Sequence, residues 1–69
     1  MTLEGLGYEE NKFWSPVEGA IQYTNYKNKK DIILYKDTFK VLLNGSFTTD
    51  INTLELKAIY QKCKELGWL

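Results

Sequence analysis

One thiol and nine carboxylates are the groups in this 69-residue sequence from which reactive chemistry would have to be built, and no histidine is present to activate them. Without an imidazole, no side chain titrates near neutrality at its ordinary pKa, so proton transfer would need a carboxylate or lysine shifted far by its surroundings. The carboxylates fall in segments that read as loops and outward helix positions, where water keeps such groups ordinary. Cys63 lies on the apolar side of a helical repeat, which makes it a small core residue and not a nucleophile. One cysteine and no histidine leave no zinc-binding set. Gly5-x-Gly7 and Asn44-Gly45 do not join a strand to a helix as phosphate loops do, and both read as turns. The sequence therefore points away from an enzyme and calls for no metal and no cofactor.

Binding is the remaining kind of function. Lysines and tyrosines interleave over Tyr23-Thr24-Asn25-Tyr26-Lys27-Asn28-Lys29-Lys30 and again at Tyr35-Lys36. Lysines can hold a nucleic-acid backbone by charge while rings stack on bases. The same residues at a solvated hairpin tip discourage edge-to-edge aggregation. Every basic residue is lysine, and the planar fork of arginine, which reads phosphate and guanine, is absent. The formal net charge is zero but unevenly spread. Glu4, Glu9, Glu10 and Glu18 face only Lys12 in the first 18 residues, whereas Lys27, Lys29, Lys30, Lys36 and Lys40 outnumber Asp31 and Asp37 in the middle. Two Trp, five Tyr and three Phe are more aromatic surface than so short a chain buries easily, and Phe13, Trp14 and Trp68 serve equally as ends of a thin core or as interface. The candidate binding residues are Trp14, Tyr23, Tyr26, Lys27, Lys29, Lys30 and Tyr35.

These residues must be positioned by a small α+β domain. Ala20–Tyr26 alternates and is rich in β-formers, with Ile21 and Tyr23 on one face. Asn28-Lys29-Lys30-Asp31 is a polar break suited to a hairpin loop. The run from Asp31 to Lys36 is apolar on both faces and reads as a central strand, and Phe39–Leu43 makes a third. Asn44-Gly45 tolerates positive φ and either ends that strand or opens another hairpin, in which case Phe47–Thr49 is a short fourth strand. Asn52 and Glu55 form a capping-box pattern that starts a helix over residues 53–66. Leu56, Ile59, Tyr60, Cys63 and Leu66 fall on its apolar face, with Lys57, Gln61, Lys62, Lys64 and Glu65 outward. Gly67 fits the left-handed residue beyond the helix, and Trp68 and Leu69 are apolar enough to fold back onto the sheet. Residues 1–18 read as a loop or one helical turn, with Trp14-Ser15-Pro16 extended or turned. The expected architecture is an antiparallel sheet of three or four strands packed by one C-terminal helix (β-β-β-α), in a single domain spanning residues 1–69.

Such a chain has a minimal core and neither a disulfide nor a metal to reinforce it, so association with itself or another protein is the remaining means of burying apolar surface. Met1–Glu10 has neither a basic start nor an apolar run, and the apolar stretches are too short to span a bilayer; the expected location is cytoplasmic, away from membranes.

The tail from Leu54 to Trp68, ending Glu65-Leu66-Gly67-Trp68, together with Leu6-Gly7-Tyr8 and the strands between, resembles small uncharacterised proteins of phages and prophages of Gram-positive bacteria. That resemblance carries no activity; it implies a cytoplasmic accessory protein that occupies a surface of a host protein or defence complex, and such proteins often dimerise. The expectation is thus a non-enzymatic protein-binding module, with a weak nucleic-acid-binding domain and a self-associating structural protein as the alternatives.

Overall fold

The computed structural model describes residues 2–11 and 19–69, so Phe13, Trp14 and the Trp14-Ser15-Pro16 segment lie outside the described residues. Five strands, β1 (Glu9–Asn11), β2 (Ile21–Asn25), β3 (Lys30–Leu34), β4 (Phe39–Leu43) and β5 (Ser46–Thr48), form one antiparallel meander in chain order, and α1 (Thr53–Glu65) follows. The α+β class and the terminal helix are as the sequence predicts. The additional strand is β1, which the composition hides because Glu-Glu-Asn has little strand propensity. It is an exposed edge, paired to β2 from Glu9↔Thr24 to Asn11↔Gln22. A short 3₁₀ turn at Glu4–Leu6 precedes it and ends at Gly7, whose φ of 97° is left-handed.

Register sorts the side chains. Tyr23, Ile32 and Val41 stand opposite one another across β2, β3 and β4, and Ile21, Leu34 and Phe39 form the next row. These rows face the helix. Tyr23, Ile32 and Leu34 are fully buried there with Leu3, Ala58 and Ile59. β3 also buries Ile33 on the opposite face, as expected of a central strand. The β2–β3 turn lies at Tyr26–Lys29, with Lys29 itself left-handed at φ 55°, so Lys30 begins β3 and does not belong to the loop. Asn44 and Gly45, at φ 54° and 83°, make the two-residue hairpin their types predict.

Both ends of α1 are built as the sequence indicates. The Glu55 N–H donates to Asn52 Oδ1 at 2.8 Å, and the Asn52 N–H donates back to Glu55 Oε1 at 3.0 Å. At the other end the Gly67 N–H reaches the Lys64 carbonyl (3.1 Å) and the Trp68 N–H the Cys63 carbonyl (2.9 Å). This paired bonding around a left-handed glycine turns the chain sharply. It lays Trp68 against the core, half-buried, and leaves Leu69 exposed.

The buried face of the helix differs from the expected one. Glu55, Ala58 and Ile59 are buried, Lys62, Cys63 and Leu66 are half-buried, and Leu56 and Tyr60 are 49% and 58% exposed. The helix is rotated by roughly a quarter turn from the orientation its apolar stripe alone would set. Two features account for this. Glu55 is drawn inward by partners described below, and Ala58, one turn on, packs into the core beside Ile59.

Candidate functional site

The carboxylate expected on an exposed helix position is in fact the centre of a buried polar cluster. Glu55 is 6% exposed. The Lys30 ammonium donates to its Oε1 at 2.8 Å, and the Tyr8 hydroxyl donates to its Oε2. With the Asn52 N–H this gives Glu55 donors from the N-terminal segment, the start of β3 and the helix N-cap. Burial alone would raise the Glu55 pKa, but the hydrogen bonds from Lys30, Tyr8 and Asn52 outweigh it and hold the carboxyl below its ordinary range. Burial first, and the adjacent carboxylate second, push the Tyr8 hydroxyl far above the usual phenol range. A carboxylate held low and a phenol held high are both displaced away from neutrality, so the pair is unsuited to proton transfer at physiological pH. Its evident work is structural: it joins three distant parts of the chain. Lone carboxylates at N3 of a capping box carry no sequence signal for such a role.

The sequence-predicted binding residues separate in space. Tyr23 is fully buried under the helix, its ring 5.9 Å from the Lys62 ammonium, and is no surface anchor. Lys30 is committed to Glu55 and is no hairpin-tip cation. Both expectations fail for one reason: strand alternation turns positions 23 and 30 to the core face, whatever their polarity. Tyr26, Lys27 and Lys29 remain exposed on the β2–β3 turn, beside a shallow depression bordered by Leu6, Gly7 and Glu9. Tyr35 lies at the other end of β3. Trp14 is outside the described residues.

A more coherent surface, not predicted from sequence, runs along the helix. An apolar cleft of about 350 Å³ opens between α1, the β3–β4 turn and the chain after the helix. Ile59 and Cys63 lie at its base, Leu56 and Tyr60 form the helical wall, and Tyr35 and Trp68 stand across from them. Leu56 and Tyr60 are one turn apart and remain exposed because of the helix rotation, and Lys57 and Gln61 extend the surface over the helix crest. The sequence signal was present in the apolar stripe itself, which is wider than the sheet can cover.

Cys63 contributes apolar surface to this cleft and little reactivity, since burial raises its thiol pKa. In native buffer it should react several-fold more slowly with a disulfide reagent than in the urea-denatured chain. Equal rates in a stopped-flow absorbance assay would show an accessible, ordinary thiol.

Among the described residues no group of three His, Cys, Asp or Glu side chains converges as a metal site requires, and no helix is long and apolar enough to cross a membrane. No protein-family model matches the chain, and neither a curated protein nor a solved structure shows significant similarity to it.

Proposed function

We propose that this protein is a non-enzymatic binding module that docks another protein through the groove between α1 and the β3–β4 turn. The observation that carries the reading is the exposure of Leu56 and Tyr60, side by side at i and i+4, on the lip of a cleft of about 350 Å³ whose base is Ile59 and Cys63. Neighbouring large apolar side chains at the edge of a formed cleft are a common mark of a binding surface. Helical ridges with such spacing are a common means of presenting anchors to a partner. A phage-type modulator of a host protein, the context suggested by the Glu65-Leu66-Gly67-Trp68 tail, would act by this kind of surface occupation.

A photo-crosslinking residue at position 60, compared with one at Glu9 on the far edge strand, tests the reading in a Gram-positive host lysate. Crosslinking of a defined protein from position 60, absent at position 9 and abolished by Leu56→Lys, is expected. Leu56→Lys should change unfolding free energy by no more than about 0.5–1 kcal/mol, because the side chain is half exposed. Retention of the same crosslinked partner in a folded Leu56→Lys variant would remove the groove as the docking surface. The exposed Tyr26, Lys27 and Lys29 turn offers the competing outcome. Salt-sensitive binding of single-stranded DNA, lost on charge reversal at Lys27 and Lys29, would place the function there as nucleic-acid binding.

A further inference from the structure

The two edges of the sheet differ, and the difference bears on what each can meet. We propose that β5 pairs antiparallel with β5 of a second copy of this chain, joining the two meanders into one continuous sheet. Backbone direction sets what β5 offers. The Asn44 N–H donates to the Lys29 carbonyl at 2.8 Å, so along β4 the polar groups of Leu42 turn toward β3, and those of Val41 and Leu43 turn toward β5. Ser46 and Thr48 stand opposite Leu43 and Val41 and are thereby engaged. Phe47, opposite Leu42, aims its N–H and C=O at the open edge, where among the described residues nothing bonds them. A donor and an acceptor on one residue are self-complementary. With a twofold axis beside Phe47, each N–H donates to the other copy's carbonyl, the two-bond exchange of a hydrogen-bonded pair.

The side chains suit the same register. Phe47 is 72% exposed and Leu42 is half-buried, both on the sheet face away from the helix. Pairing through Phe47 sets Leu42, Phe47, the partner's Phe47 and the partner's Leu42 in one apolar row. Ser46, Phe47 and Thr48 carry no charge. The nearest charged residues, Lys40 on β4 and Asp50 beyond the strand, fall roughly 20 Å from their own equivalents at standard strand spacings, where salt screens them. The other edge has the opposite character. β1 holds Glu9 and Glu10 within three residues, and twofold pairing there would set carboxylate against carboxylate. Joining β5 to β1 would be head-to-tail and would build an open fibre. No residue lining the helix groove belongs to β5, so this pairing is independent of docking there.

Sedimentation equilibrium of the full-length protein tests the pairing. A strand of three residues makes a small interface, so the mass should rise from one chain toward two over roughly 10 µM to 1 mM. In a mixture of isotope-labelled and unlabelled chains, filtered Overhauser spectra should connect Ser46 Hα of one copy with Thr48 Hα of the other, the close pair flanking Phe47 in this register. Phe47→Lys sets two ammonium groups opposite each other at an exposed position. It should weaken association roughly tenfold or more, with an unchanged circular dichroism spectrum. Leu56→Lys and Glu10→Lys should leave association intact. A single-chain mass at every concentration would overturn the proposal, as would a dimer that persists unchanged in Phe47→Lys. Association lost in Leu56→Lys would overturn it in favour of self-docking through the groove. Growth beyond two chains, abolished by Glu10→Lys, would overturn it in favour of the head-to-tail fibre.

Discussion

Glu55→Ala should leave most of the chain unfolded in dilute buffer. The substitution strips the Lys30 ammonium of its 2.8 Å partner, orphans the Tyr8 hydroxyl and removes half of the capping box. Breaking a buried ion pair from one side costs about 3–5 kcal/mol, because the remaining charge stays buried and uncompensated. A core in a domain of this size rarely supplies more than about 3–5 kcal/mol in total. Far-UV circular dichroism and urea titration measure the effect, and a loss below about 1 kcal/mol would mean that water reaches the pair. The triple replacement Tyr8→Phe, Lys30→Met, Glu55→Leu should recover much of the loss, since apolar groups of similar volume often replace buried ion pairs without penalty. The same cluster sets an acid limit. A carboxyl whose folded pKa lies below its unfolded one contributes fully above the unfolded value, here 4.5, and loses that contribution as pH falls through the depressed folded value. Wild-type stability should therefore decline below about pH 4.5, and in the triple variant that decline should be shallower.

The second large effect is at Tyr23, and two substitutions separate its ring from its hydroxyl. The residue is fully buried at the centre of the core row that includes Ile32 and Val41. Tyr23→Ala opens a cavity beneath the helix and should cost about 3–5 kcal/mol, again enough to unfold most molecules. Tyr23→Phe should be near neutral or slightly stabilising. The hydroxyl oxygen is buried, and although the Lys62 ammonium lies near it and over the ring, no formed hydrogen bond joins them. Removing an unsatisfied buried hydroxyl relieves its desolvation penalty. A cost above about 1 kcal/mol for Tyr23→Phe would show that Lys62 bonds that oxygen in solution.

Local signals made much of the architecture legible. Alternation located β2, β3 and β4 to within a residue or two, the Asn44-Gly45 pair located their hairpin to β5, and Asn52 with Glu55 and Gly67 marked both ends of the helix. β1 was hidden because an edge strand is specified by its neighbour and not by its own composition. The rotation of α1 was hidden too. Hydrophobic periodicity averages over apolar side chains, whereas here a charged residue sits at the middle of the buried face, held by Tyr8 and Lys30 from sequence separations of 47 and 25 residues. Two of the seven candidate binding residues, Tyr23 and Lys30, were placed on the surface by the same blindness. Reading Tyr23 and Lys30 by residue type assigned them to the surface, while their strand parity assigned them inward. Once that inversion is known, the exposed groove follows from it: as Glu55 turns in, Leu56 and Tyr60 turn out.

Translation delivers Tyr8 and Lys30 well before Glu55, and this order has a consequence for how the chain reaches its native state. A nascent meander ending at Thr48 holds its strands in sequence-local hairpins, yet its inner face is bare and its inward lysine has no counter-ion. Closure awaits a single late carboxylate. The strands pair with their neighbours in sequence, whereas the bonds that tie the N-terminal segment and the sheet to the helix span 47 and 25 residues, so the cluster holds the least local contacts of the fold's polar links.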